Sequence, residues 1–277
     1  MYHLTDAGPK RCRAMVKPCP VDTKDHFTRM KDAISASELR LSREARPVLN
    51  KPNLKAYLRA AALSGQPSAG PRTIVLSDVD GTLVRGSLVL DHAVWLHSTG
   101  AIDLGDIPKL WLADQKNEVL ISKLAEAYRE AIFGKSVKEL RAHEFINSLM
   151  KLEGKFYSAL DRLKEAHTAG HDVVLISGSP QFLVGAFARR FGFTAIGSIY
   201  HRDSFRRMNG LVTGMFGAEA KQKVIEKLSL ERYQMIFAYG DTSSDLPLLQ
   251  AAHHSVLVDP SPETLARCGA VDEILRS

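Results

Sequence analysis

The chain has 277 residues, 45% apolar and 25% charged, with a net charge of +6, proportions that fit a folded globular protein with a sizeable core. Three cysteines (Cys12, Cys19, Cys268) are too few for a disulfide framework, and no apolar run reaches the ~18 residues of a membrane helix. A reducing, cytoplasmic compartment and no membrane partner are the expectation.

The charge is unevenly spread. Residues 1–70 hold 13 Lys and Arg against 6 Asp and Glu, and the remainder holds 24 against 25. The basic character therefore belongs to an N-terminal extension, and no nucleic-acid partner is expected for the rest. Pro9, Pro18, Pro20, Pro47 and Pro52 punctuate this extension. Two stretches, 26–44 and 53–63, have helical potential, and SGQPSAGP at 64–71 reads as a linker. No apolar core follows the early basic residues, as a signal peptide would require.

Thr73–Leu76 is a short β-branched and apolar run, the composition of a strand buried on both faces of a parallel sheet. It leads into Asp78-Val79-Asp80-Gly81-Thr82, two carboxylates and a glycine at the end of a strand where open α/β sheets bind ligands. Residues 87–153 have helical periodicity throughout: Leu120, Leu124, Ala127, Tyr128 and Ile132 share a face, as do Leu140, Phe145, Ile146 and Leu149. Ser136 with Glu139 predicts a capping box. The aromatic residues Trp95, Trp111 and Phe145 are expected as core of this segment rather than as substrate lining. From Lys155 strands and helices alternate, with strands at 171–176, 195–201, 235–239 and 255–258. Helices are expected at 155–169, 180–190, 218–230, 245–252 and 262–268. Asn209-Gly210 marks a hairpin end. His253-His254 and the cluster Arg202, Arg206 and Arg207 are expected as surface groups.

Four motifs stand in order: Asp78-Val79-Asp80-Gly81-Thr82-Leu83-Val84; Ser177-Gly178-Ser179-Pro180 after an apolar run; Lys221 at the head of a helical stretch; and Gly240-Asp241-Thr242-Ser243-Ser244-Asp245 after another strand. Together they resemble the haloacid dehalogenase-like phosphohydrolases, most closely the branch containing phosphoserine phosphatase. The resemblance covers about residues 73–277. It implies an α/β fold, a Rossmann-like doubly wound parallel sheet, with a helical cap (87–153) inserted in a catalytic core formed by 71–86 and 154–277.

The chemistry expected of these residues is phosphoryl transfer, which needs a nucleophile, charge neutralisation and help for the leaving group. Asp78 is the candidate nucleophile, forming an aspartyl-phosphate. Asp80 is the candidate acid and base, and Lys221 supplies fixed positive charge. Ser177 and the Gly178 amide are candidate phosphate donors, and Thr82 either contacts phosphate or locks its loop. The resemblance implies a Mg²⁺ held by Asp78, the main-chain carbonyl of Asp80, and Asp241, with Asp245 behind them. The substrate implied is a small phosphomonoester. Alternatives sharing these motifs are phosphoserine phosphatase proper and a phosphotransferase. A dehalogenase would leave Asp80 without a task, and a non-catalytic relative would be expected to lack at least one acid. One departure concerns substrate: the position where phosphoserine phosphatases carry a glutamate facing the ammonium group falls at Ser87.

Overall fold

The computed structural model describes residues 72–276 apart from 116 and 216; the basic extension and its two expected helices lie outside these residues. Elements are numbered over the described part. Strand β1 (Thr73–Ser77) lies at the centre of a seven-stranded sheet of order β4-β3-β2-β1-β5-β6-β7. Its neighbours are β2 (Asp172–Pro180) and β5 (Met235–Gly240), both parallel to it. Beyond them lie β3 (Thr194–Arg202), β6 (His254–Val258) and β7 (Glu273–Leu275), also parallel, while β4 (Met208–Thr213) closes one edge as an antiparallel hairpin with β3.

Alternation along the strands builds two cores. Val75, Val173 and Leu175 face helices α5 (Ala159–Thr168) and α6 (Gln181–Phe191). Ile74, Leu76, Val174 and Ile176 face α7 (Gly217–Ile225) and α8 (Leu246–Gln250). A strand covered on both faces must be apolar at every position, which is why TIVL shows no polar alternation. Each of its large side chains contributes roughly 1.5–3 kcal/mol by leaving water. Helix α9 (Pro262–Cys268) completes the chain.

Between β1 and β2 the described chain is helical: α1 (Leu88–Ser98), α2 (Ile107–Ala113), α3 (Glu118–Ala131) and α4 (Ala142–Leu149). It leaves and returns side by side, with Arg85 N donating to Lys155 O and Tyr157 N donating to Leu83 O. While α4 buries Phe145, Ile146 and Leu149 against the sheet side, the first three of these helices enclose a core of their own around Leu96, Trp111, Leu124 and Tyr128. Within it His92 is fully buried, with Nδ1 2.9 Å from the Tyr128 hydroxyl and Nε2 2.7 Å from Leu140 O. Burial lowers its pKa to about 4, so the ring is neutral, donating from Nε2 and accepting at Nδ1. Trp111 is buried in this core as expected, whereas Phe145 is buried in the cluster that holds Val75 and Leu175, and Trp95 is partly buried beneath Arg141.

Some element boundaries move. Ser136 and Glu139 bond reciprocally as a capping box does, yet they close a turn, and α4 starts only at Ala142. Arg141, with φ +48, interposes a left-handed residue that breaks the helical path. Helix α7 ends at Ile225 instead of Leu230. Strand β7 has no counterpart in the sequence expectation.

Candidate active site

The acids gather where β1 and β5 end. Asp78 follows β1 directly, its amide donating to Tyr239 O at 3.0 Å. Gly81, at φ +85, then turns the chain back, and its amide donates to Val84 O at 2.9 Å. A β-carbon at residue 81 would stand 2.1 Å from Asp241 Oδ2, so the loop after β1 can meet the loop after β5 only through a glycine. Asp78, Asp241 and Asp245 each bring a carboxylate oxygen within 4.8 Å of the others.

One cation serves these acids. Lys221 reaches down from α7, 3% exposed, and its Nζ donates to Asp78 Oδ1 at 2.6 Å and to Asp245 Oδ1. Burial works against the ammonium, but the two carboxylates outweigh it and hold Lys221 firmly charged. The shortage of positive charge falls on the acids. Burial, then repulsion from Asp245 and the other acids, holds Asp78 well above the usual carboxylate range in spite of Lys221. Burial and the charge of Asp245 push Asp241 to about 7.

Asp245 is the structural acid of the group. Its Oδ1 takes Lys221, and its Oδ2 accepts from the amides of Asp241 and Thr242 at 3.1 and 3.0 Å and from the Thr242 hydroxyl. Both oxygens are thus committed to protein donors. Asp78 and Asp241 are the carboxylates left to hold an ion, and an all-oxygen donor set of this kind suits a small hard cation. Such a cation would also relieve the repulsion that adds to burial in raising both pKa values.

Asp80 lies on the side of the site nearest the end of β2. Its Oδ1 accepts from the Leu88 amide at 2.6 Å and the Ser179 hydroxyl at 3.0 Å, and its Oδ2 from the Ser177 hydroxyl at 2.7 Å. The first of these bonds caps α1, a task the Ser87 side chain does not perform. Ser177, expected as a phosphate donor, therefore gives its proton to Asp80 while accepting from the Ser179 amide at 2.9 Å. Thr82 is fully buried and its hydroxyl donates to Asp241 Oδ1 at 3.1 Å, the loop-locking alternative rather than the phosphate contact. Gly178 lines a cleft of about 220 Å³ together with Asp78, Asp80, Lys221 and Asp241. The hydroxyls of Ser179 and Thr242 turn toward Asp80 and Asp245. Nothing local in the sequence shows either contact.

Two other expectations change. His254 lies in β6 with Nε2 3.5 Å from Glu273, an acidic partner far away in sequence. Arg207 is tied to the helical segment by a 2.7 Å bond to Gly134 O and is not merely solvated.

The family model for "haloacid dehalogenase-like hydrolase" matches residues 75–250. The chain belongs to this family. It is therefore an enzyme of the hydrolase class. A protein named phosphoserine phosphatase SerB1 from Mycobacterium tuberculosis is 26% identical over 227 residues, covering 75% of this chain and 71% of that protein. A putative hydrolase of Mycobacterium leprae is 28% identical over 226 residues, covering 75% and 74%. Among solved structures, a Bordetella pertussis protein of unknown function matches with a TM-score of 0.58 at 23% identity, over 74% of this chain and 99% of that one. That likeness shows the fold.

Proposed function

We propose that this hydrolase is a magnesium-dependent phosphomonoesterase that cleaves a small phosphorylated metabolite through an aspartyl-phosphate on Asp78. The observation that carries the reading is the buried Lys221, held between Asp78 and Asp245 with Asp241 alongside. The phosphatase name of the Mycobacterium tuberculosis relative agrees with it.

In this reading the Asp78 carboxylate attacks phosphorus, the bond from phosphorus to the alcohol oxygen breaks, and Asp80 gives the departing oxygen a proton. Asp80 then takes a proton from water, whose oxygen attacks phosphorus and displaces Asp78, releasing inorganic phosphate. Lys221 balances the charge that Asp78 passes to the phosphoryl group. Thr82 and Asp245 hold Asp241 and Lys221 in place from behind. The Gly178 amide serves the phosphoryl oxygens, and Ser177 joins it once its hydroxyl leaves Asp80. Asp78, Asp241 and the main-chain carbonyl of Asp80 would hold Mg²⁺, which would supply electrostatic stabilisation of the phosphoryl oxygens. Residues 87–153 act as the cap over a core made of 71–86 and 154–277.

The substrate is a phosphate without an adjacent ammonium, such as a sugar, polyol or lipid-derived phosphate. Ser87 offers no carboxylate, and Asp91, one turn further on, is 2.7 Å from Lys155. An ammonium buried without a facing acid costs several kcal/mol. The test is phosphate release from p-nitrophenyl phosphate with and without Mg²⁺, followed by kcat/KM for phosphoserine and for glycerol phosphates. Turnover that ignores Mg²⁺ refutes the metal. A tenfold preference for phosphoserine, ~1.4 kcal/mol in transition-state binding, refutes the argument from Ser87.

A further inference from the structure

A second, larger cavity shares no lining residue with the acidic cleft. This groove of about 940 Å³ runs between α4, α6 and β3. Its size is that of a small-molecule site. Phe182, Phe193 and Ile199 give it an apolar lining, and Lys138, Arg189 and Arg202 add positive charge around it. Among the described residues none of these three cations meets a carboxylate. Arg189 donates only to the Nε2 of His143, at 3.1 Å, a ring nitrogen that must be unprotonated to accept. Among the described residues Lys138 and Arg202 have no side-chain hydrogen bond or ion pair. The fourth cation of the lining, Arg141, is matched by the only acid there, Glu144, and lies over Trp95 at 5.0 Å.

Three unmatched cations beside an apolar lining repel one another and attract an anion that brings apolar surface with it. We propose that this groove binds an organic anion with an apolar body, at a site separate from the reaction. The anionic group meets Arg189, Arg202 and Lys138, and the apolar body lies along Phe182 and Ile199. The chain's own extension has the wrong sign for this place, since residues 1–70 carry a net positive charge. The walls come from both the helical segment (Lys138, His143) and the sheet layer (Arg189, Ile199), so the ligand touches both.

The test uses the full chain and 8-anilinonaphthalene-1-sulfonate, a sulfonate that no phosphatase hydrolyses. Saturable binding at one site per chain is expected. The neutral analogue N-phenyl-1-naphthylamine should bind at least tenfold more weakly. The double variant Arg189→Ala/Arg202→Ala should also lose at least tenfold; both side chains are exposed, so the fold should be retained. Gly185→Met, which places a side chain toward the groove beside Arg189, should abolish binding, whereas Asp78→Asn should leave it unchanged. Equal binding of the neutral analogue, undiminished binding in the arginine double variant, or loss in Asp78→Asn would overturn the proposal.

Discussion

Asp78→Asn separates catalysis from stability, because the charges around Asp78 nearly cancel. With an effective dielectric constant of about 20, the attraction of Lys221 at 2.6 Å is worth about 6 kcal/mol. Repulsion from Asp241 and Asp245, each with an oxygen within 4.8 Å, is at least about 3.5 kcal/mol apiece when both are ionised. Replacing the carboxylate by an amide of the same shape removes both contributions, and Lys221 keeps Asp245 as partner. The melting temperature should therefore move by only a few degrees. Turnover should disappear, because an amide cannot accept the phosphoryl group. Thermal unfolding and steady-state hydrolysis of p-nitrophenyl phosphate, on the same preparation, read the two quantities. If the variant keeps more than about a hundredth of the wild-type kcat, a loss under ~2.7 kcal/mol, covalent catalysis by Asp78 is wrong.

Other perturbations address the neighbours. Asp80→Asn should slow an alkyl phosphate far more than p-nitrophenyl phosphate, whose leaving group needs little protonation; equal losses would count against Asp80 as the acid. Gly81→Ala should raise the Mg²⁺ concentration needed for activity at least tenfold, since the new methyl would stand 2.1 Å from Asp241 Oδ2 on a backbone at φ +85. An unchanged Mg²⁺ requirement would show that Asp241 does not hold the ion. His92 makes stability fall with acid. Above pH 6.5 the ring is neutral folded and unfolded; between 6.5 and about 4 only the unfolded chain takes the proton, removing roughly 3 kcal/mol. The raised carboxyl of Asp241 acts with the opposite sign between about 7 and 4, gaining stability as pH falls. The informative quantity is thus the difference between wild type and His92→Gln in urea unfolding. That difference should shrink as pH drops through the window, and a constant one would mean that His92 is not held neutral.

Elements whose cause is local were legible in the chain itself. TIVL reads as a doubly covered strand because every position is apolar, and the glycine after Asp80 marks the turn that β1 makes. The helix over Pro262–Cys268 follows from Ser261 as its cap and Pro262 in its first turn, and it forms over those residues. The acids Asp78 and Asp80 stand out by their place at the end of an apolar strand, and Asp241 and Asp245 by the resemblance of four ordered motifs to the haloacid dehalogenase-like family.

Pairing over distance was decided by the tertiary structure. The three-residue strand β7 is too short to carry a period and exists because β6 offers it an edge. The Ser136–Glu139 box forms, but Arg141 in a left-handed conformation prevents it from starting a helix. Above all, sequence names a hydroxyl without aiming it. Thr82 turns to Asp241 across 159 residues, and Ser177 and Ser179 turn to Asp80 across almost 100. A hydroxyl rotates freely until packing fixes what lies beside it, so its partner is a property of the folded arrangement. The groove beside Arg189 and Arg202 has the same origin: its charges come from separate elements, and their packing leaves three cations without an acid among the described residues.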